Sequence, residues 1–373
     1  MTTSRKTIPD LTLDATPSGA DLIETSKNPG SRKVTLSTLP VSTPQAAADT
    51  AVATAAAFAA LRAAIKTPSL AWRDSGHAVK HVCYAENVDC FFTLGGGTIH
   101  MDKWDASSQR WISSKDNGDF PLTGATCLCY IPTTGMILVG RGASGITIVD
   151  PTTFTSPGTG AADARSSMIY NPVDGFVYAV DSTVDKIKKI NAATGNEAAS
   201  TTLAGDGTQD PPDKNSCLAI DPVTGLVWHQ GADSANKVCK LSATQFTTSV
   251  GVNSNGAIAV GGKNSYVYIF DNGTPSKIWV YTQAGVLIKS MIAGPINIGD
   301  CFVWYDDVSK FIFYTGAGTV GMVDTETDTN YVYPLQFAGL SSAVNFGMAL
   351  DTVRRAILQG QGNTDGGTFY TTR

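Results

Sequence analysis

Apolar and polar positions alternate along most of this chain with the short period of β-strands, and the clearest example runs from Met168 to Thr201. Met168 to Tyr170 is an apolar run stopped by Asn171-Pro172. Gly175 then turns the chain into Phe176 to Val180, a β-branched and aromatic run of strand length. Asp181 to Asp185 reads as the next turn, Lys186 to Ile190 alternates with period two, and Asn191 to Gly195 turns again. Asn196 to Thr201 is a weak, polar outer strand. The stretch therefore predicts four short antiparallel strands.

The same grammar recurs seven times. The residue before the second strand falls at Cys90, Gly135, Gly175, Gly225, Ser265, Lys310 and Arg355, at intervals of 40 to 50 residues. A second mark keeps register with the first. The third strand ends on a small polar turn-former at Asp105, Asp150, Asn191, Ser242, Thr282, Asp324 and Thr371, always 14 to 17 residues further on. Four strands per unit at such a period predict a β-propeller, here an all-β, seven-bladed one. Three copies share a Pro-x-x-Gly turn, at Pro132 to Gly135, Pro172 to Gly175 and Pro222 to Gly225, suited to a tight reversal. The seventh copy is one strand short, with Val344 to Leu350, Ala356 to Gly360 and Thr368 to Thr372. The otherwise unassigned Ser69-Leu-Ala-Trp72-Arg73 resembles the outer strand Gln109 to Ile112 and is expected to complete it, because an open ring leaves two unprotected sheet edges. The run of hydrophobic strand, Asp-Pro-x-x-Gly, strand, and strand ending in Asp resembles the repeats of lactonase-like and NHL-type propellers. That resemblance covers about 300 residues and implies a fold, since propellers host unrelated activities.

Composition agrees with many short strands. Glycine accounts for 37 of 373 residues and charged residues for 16%. No apolar run of membrane-spanning length occurs, and Met1 to Lys6 is not followed by the apolar core of a secretory signal, so neither membrane insertion nor a cleaved leader is expected. The seven cysteines, Cys83, Cys90, Cys127, Cys129, Cys217, Cys239 and Cys301, fall in strand-like runs without a C-x-x-C pair, which predicts buried thiols. Residues 68–373 carry 20 Lys or Arg against 27 Asp or Glu, and an acidic ring lacks the basic stripe that a nucleic-acid binder needs.

Residues 1–42 have a different character. Ile8-Pro-Asp-Leu11 leads to a Pro17-Ser-Gly19 turn, then Asp21-Leu22-Ile23-Glu24, an Asn28-Pro-Gly30 turn, and Lys33-Val34-Thr35-Leu36. Two strands this short need a partner surface. The order Ile-x-x-Leu, Gly-x-Asp-Leu-Ile, Gly-x-x-Lys-Val-Thr-Leu resembles the N-terminal virion-anchoring segment of bacteriophage tail fibres and tailspikes. Leu11-Thr12-Leu13 departs from it, standing where Leu-Pro is usual. The resemblance implies attachment to phage tail or connector proteins through Ile8, Leu11, Asp21, Leu22, Ile23, Lys33, Val34 and Leu36, and a virion location after synthesis in the host cytoplasm.

Between module and ring, residues 43–67 predict the one helix, with Pro44 in its first turn, an alanine-rich body and Pro68 as its stop. A seam through Ala47, Ala51, Thr54, Phe58, Leu61 and Ile65, spaced alternately three and four, fits a coiled-coil neck. Tail fibres similar to this chain are usually trimers, which implies a homotrimer. A helix packed on its own propeller is the other reading of the same residues.

No set of residues assembles into a catalytic centre, so the chain is expected not to be an enzyme and to need no metal or cofactor. Gly140-Arg-Gly142-Ala-Ser-Gly145 fits G-x-G-x-x-G but leads into a strand, Ile146 to Val149, so it reads as a glycine-rich hairpin. Asp324-Thr-Glu326-Thr-Asp328-Thr-Asn330 lacks the central Gly and closing Glu of a calcium loop and reads as an exposed polar turn. His77, His81, His100 and His229 have no ligand spacing, and Trp228, Trp279 and Trp304 occupy strand interiors and read as packing residues. These readings converge on a tail fibre presenting its propeller as an adhesin to a bacterial surface receptor, through loops the sequence does not identify. A propeller enzyme acting on a surface glycan or a lactone, and a structural connector for another fibre, are the alternatives.

Overall fold

The structure is a computed structural model. It describes residues 22–24, 33–35, 43–65 and 69–73, and most of 81–370. Outside the described residues lie the rest of 1–80, the connections at 96, 108–109, 114–119, 165–166, 182–185, 203–217, 231–236, 241–244, 248–256, 272–274, 295–301, 317–318, 335–344 and 362–365, residue 355, and 371–373. The chain divides into two compact units, residues 1–60 and 61–373.

The first unit contains a two-stranded antiparallel sheet and most of the helix. Leu22–Glu24 pairs with Lys33–Thr35, setting Leu22 opposite Thr35, Ile23 opposite Val34 and Glu24 opposite Lys33. The helix runs over Thr43–Ile65, with Arg62 in its last turn, where a cation suits the carbonyl end of the helix.

The second unit is an all-β β-propeller whose sheets follow one another in chain order. Sheet I is His81–Ala85, Cys90–Gly95, Thr98–Asp105 and Arg110–Ser113, with the short strand Phe120–Pro121 added beside Thr98 and Ile99. Sheet II is Cys127–Ile131, Met136–Gly140, Ile146–Asp150 and Thr155–Gly160, and sheet III is Met168–Tyr170, Phe176–Asp181, Lys186–Asn191 and Glu197–Thr202. Sheet IV is Leu218–Ile220, Val227–Gln230, Lys237–Lys240 and Gln245–Thr247, and sheet V is Ile258–Gly261, Tyr266–Asp271, Lys277–Tyr281 and Leu287–Ile292. Sheet VI is Val303–Asp306, Phe311–Gly316, Thr319–Asp324 and Thr329–Pro334. Sheet VII takes Asn345–Asp351, Ala356–Gln361 and Gly366–Tyr370 from the end of the chain and its fourth strand, Ser69–Arg73, from before sheet I. Ser69 lies opposite Tyr370 and Arg73 opposite Gly366, which is the closure expected from the missing last strand.

The second strands lie between neighbouring sheets and are largely apolar rather than alternating: Cys90–Gly95 is buried at every position, with Thr93 its one polar side chain. Phe92 packs with Ile137 and Val139 of sheet II, whereas its neighbour Phe91 packs with Ala349 and Leu358 of sheet VII. Further clusters join II to III through Cys129 and Val177, III to IV through Tyr178 and Leu218, and IV to V through Trp228 and Ile269. Phe270 and Ile312 join V to VI, and Phe313 and Met348 join VI to VII. The first strand of every sheet also neighbours the first strand of the next, and that of sheet VII neighbours that of sheet I.

The recurrent residue before the second strand is a left-handed turn position at five of its seven places; in sheet I that position is Asp89 (φ 54°), because Cys90 is already the first residue of the strand, and Arg355 lies outside the described residues. Gly135, Gly175 and Gly225 have φ of 68°, 75° and 71°, and Ser265 and Lys310 hold φ of 48° and 61° without being glycine. At Gly225 a side chain would meet more than backbone strain, because its Cβ would lie 2.8 Å from that of Val173.

Candidate functional site

The two ends of the ring differ in chemistry. At one end lie the turns joining first to second and third to fourth strands of each sheet. An Asp or Asn closes most of them by accepting the amide two residues on, at 2.8 to 3.2 Å, as at Asp105, Asp150, Asn171, Asn191, Asp221, Asp306, Asp324 and Asp351. Side chains also tie this hairpin end together laterally. Asn87 Nδ2 donates to the Gly135 carbonyl (3.2 Å), Asn171 Nδ2 to the Gly225 carbonyl (2.9 Å), and Ser265 Oγ to Asp221 (3.2 Å). Burial opposes the Asp221 carboxylate, but the Val223 amide, Thr224 hydroxyl, Gln283 amide and Ser265 hydroxyl together hold it below the ordinary carboxylate range. Between sheets VII and I, Arg354 donates to both oxygens of Asp89 at 2.5 Å and to Asp351 at 3.1 Å, while its guanidinium lies 4.9 and 5.3 Å from the ring centres of Trp104 and Trp111.

The end of the helix is held at this same hairpin end. Arg62 pairs with the buried Asp324, donates to the Ser309 carbonyl (3.2 Å), and lies 5.0 Å from the centre of the Phe311 ring. Leu61 packs against the cluster of Phe311, Phe313, Met322 and Leu350. Asp324 and Thr325 are therefore buried, correcting the exposed polar turn read from the sequence. Asp328 of the same turn pairs with Lys289 (3.1 Å) and accepts the Tyr268 hydroxyl (3.1 Å), so cationic side chains already engage two of its carboxylates.

The opposite end carries the loops between second and third strands and the links between sheets. Two buried carboxylates stand at equivalent places there, Asp181 and Asp271, each the last residue of a second strand. The neighbouring strand answers each at the same position. Lys188 Nζ lies 2.8 Å from Asp181, and Trp279 Nε1 donates to Asp271 at 3.2 Å. Asp163 (3.8 Å) and Glu197 (3.7 Å) complete three carboxylates around the Lys188 ammonium. Such an arrangement saturates the cation rather than freeing a nucleophile or proton donor. Gly140 to Gly145 forms the hairpin expected: the Arg141 amide donates to the Gly145 carbonyl (3.0 Å), and the Gly142 amide to Ala164 (3.1 Å) in the link to sheet III. Arg141 itself donates to the Thr123 carbonyl and to Thr147, both at 3.3 Å. Among the described residues, no three His, Cys, Asp or Glu side chains are grouped to hold a metal ion.

Of the residues assigned to tail attachment, Leu22 and Ile23 stand on one strand of the small sheet and Lys33 and Val34 on the other, while Ile8, Leu11, Asp21 and Leu36 lie outside the described residues. In the neck, Ala51 and Thr54 are exposed, Phe58 and Leu61 are partly buried, and Ile65 is the last helical residue. Leu61 is engaged by the core of its own ring, the second of the two readings of that residue. Trp228 and Trp279 are packing residues as read, but Trp304 is 45% exposed on the first strand of sheet VI, correcting its assignment. Cys83, Cys90, Cys127 and Cys129 are free and buried, Cys239 stands on the third strand of sheet IV, and Cys217 and Cys301 lie outside the described residues. The sequence reading missed Arg62, Arg354 and the Lys188 cluster. Only the last left a signal, the paired endings Val-Asp…Lys-Ile-Lys and Phe-Asp…Lys-Ile-Trp at matching places in two repeats.

No family model and no curated protein matches the chain. It is similar to a solved structure titled "Streptogramin B lyase structure", with a TM-score of 0.57 at 15% identity over 81% of this chain and 97% of that one. At that identity the likeness is one of fold. The protein is an all-β β-propeller with one helix among the described residues.

Proposed function

We propose that this chain is a bacteriophage tail fibre in which residues 1–42 attach to the tail, residues 43–67 form the neck, and residues 68–373 form a closed seven-bladed ring that meets the bacterial surface as an adhesin. The observation carrying this reading is the small N-terminal sheet. The two segments that resemble the virion-anchoring motif, around Ile23 and Val34, pair with each other in register within a unit distinct from the ring. Trimeric presentation would use the neck through Ala51, Thr54 and Phe58, with Leu61 assigned to the ring. Linking three modest sites raises apparent affinity by about 10² to 10⁴ through effective concentration.

The test is assembly. Particles produced with a chain lacking residues 1–39 should carry none of it, while the truncated protein still melts like the parent ring. A normal copy number on such particles would remove the anchor assignment. The alternative, a propeller enzyme, draws support from the fold likeness to a streptogramin B lyase. Purified chain incubated with a streptogramin B or with host capsular glycan is expected to leave either substrate unchanged, and product release would replace the adhesin reading.

A further inference from the structure

Large apolar side chains are exposed singly around most of the ring, but four of them crowd into residues 286–292: Val286 (59% exposed), Leu287 (38%), Ile288 (44%) and Ile292 (71%). This stretch is the outer strand of sheet V, Leu287–Ile292, with the residue before it. Among the described residues nothing pairs with its far edge. An apolar edge of this kind is an open template for another strand. The outer strands of the other sheets are guarded. Pro157 interrupts that of sheet II and Pro334 ends that of sheet VI, each removing an amide, and Arg110 and Arg73 stand on those of sheets I and VII. That of sheet III is polar or alanine throughout, and that of sheet IV has only three residues. In sheet V the one guard is Lys289, and it is turned aside: its ammonium pairs with the Asp328 carboxylate (3.1 Å) and donates to the Asp328 carbonyl (3.1 Å) in sheet VI.

We propose that this edge joins a second copy of the chain, the two Leu287–Ile292 strands running antiparallel about a twofold axis at Ser290. The register follows from the ladder within sheet V. The Ala293 amide donates to the Ser276 carbonyl (2.9 Å), so by alternation Ile292 and Ser290 direct their backbone groups away from the sheet. Asn330 already donates to the Ile292 carbonyl (2.8 Å), which leaves Ser290 as the residue offering both amide and carbonyl. Ser290 set against its own copy makes a reciprocal pair of hydrogen bonds. The same register puts Lys289 opposite Met291 and Ile292 opposite Ile288, each twice, so that no lysines face and the exposed isoleucines meet one another. Centring the pair on Lys289 would instead oppose like charges. Ile288 lies at a bulge against the third strand, so the regular part of the ladder, residues 289–292, carries the pairing. A twofold contact closes on itself, whereas head-to-tail edge pairing would build a fibre. The exposed apolar area is a few hundred Å², below the roughly 800 Å² per partner of a standard interface, so the association is weak and populated at high local concentration. It stands apart from the function proposed above.

The experiment uses the full chain with a cysteine placed on one outer strand: Ser290→Cys at the twofold axis, or Ser156→Cys on sheet II as the comparison, both replacing exposed serines. Paired Cα atoms at the axis would stand about 5.5 Å apart, within disulfide reach. Under mild oxidation S290C should form a covalent dimer at least tenfold faster than S156C or the parent, with peptide mass spectrometry placing the link between two copies of residue 290. Adding Ile292→Lys to S290C should slow the reaction at least fivefold. In sedimentation from about 1 to 100 μM the parent's average mass should rise toward twice that of Ile288→Lys and of I292K, whatever oligomer the neck forms. These two variants keep the test decisive if a cysteine variant falls below the parental melting temperature. Equal cross-linking of S290C and S156C, a link from residue 290 to another cysteine, or association unchanged in both lysine variants overturns the proposal. A parent that does not associate leaves the edge to a foreign strand and overturns the second copy as its occupant.

Discussion

Replacing Arg354 with leucine tests how the ring is held shut. Arg354 belongs to the last sheet and Asp89 to the first, so their paired hydrogen bonds at 2.5 Å cross the junction that the strand Ser69–Arg73 also secures. Leucine removes those two bonds, the 3.1 Å bond to the buried Asp351, and the cation over Trp104 and Trp111. Asp351 keeps the amides of Val353 and residue 354, and the Tyr84 hydroxyl still donates to Asp89 at 2.6 Å, which limits the damage. A charge-assisted hydrogen bond contributes about 1.5 to 3 kcal/mol and a cation over an aromatic face about 0.5 to 2. The Asp89 side chain is 43% exposed, so solvent screening discounts its share. A net loss of about 2 to 3 kcal/mol follows, or roughly 3 to 5 °C in melting temperature for a ring of this size. Calorimetry at pH 7 on the parent, R354L and R354K reads it, with lysine recovering less than half because it cannot grip both oxygens. The pH dependence gives a second readout. Hydrogen bonding from Arg354, ahead of that from Tyr84, lowers the Asp89 pKa in the folded protein. A depressed folded value contributes stability that is complete above the unfolded pKa of about 3.9 and is lost as pH falls through the folded value. The gap between parent and R354L should therefore be constant from about pH 6 to 8 and close on acidification below about pH 4. A melting temperature within 1 °C of the parent at pH 7, or a gap that widens in acid, would refute the reasoning.

Three further outcomes are expected. K188M strands the buried Asp181 without its 2.8 Å cation and should cost about 3 to 5 kcal/mol in urea unfolding, with K188M/D181N recovering roughly half; additive losses would show that the pair is not coupled. A chain beginning at Gly76 lacks Ser69–Arg73, leaves Gly366–Tyr370 as an unpaired edge, and should melt several degrees lower and aggregate; heat stability equal to the parent would defeat the closure argument. Burial pushes the thiols of Cys127 and Cys129 up to about 12, so both should resist iodoacetamide at pH 8 in the native protein and label in guanidinium, as read by peptide mass spectrometry. Native labelling at either position would contradict their packing.

Elements whose partners lie nearby in the chain were legible from residues alone. Met168–Tyr170, Phe176–Asp181, Lys186–Asn191 and Glu197–Thr202 fall within a residue or two of the predicted strands, because each pairs with the next across a turn marked by Asn171, Gly175, Asn191 or Gly195. Repetition extended that reading, and a copy one strand short pointed to Ser69–Arg73 despite its distance along the chain. What periodicity could not reveal is the pairing of side chains across sheets and from the helix. Arg62 finds Asp324 across 262 positions and Arg354 finds Asp89 across 265, and neither partner differs locally from any other turn aspartate or surface arginine. Leu61 fits a helical seam and a ring cluster equally well as an apolar residue, and Trp304 sits in a strand like the buried tryptophans yet faces solvent. Local sequence specifies backbone conformation and the spacing of turns. Which face a side chain meets, and which charge answers it, follows from the curvature that brings the last sheet beside the first.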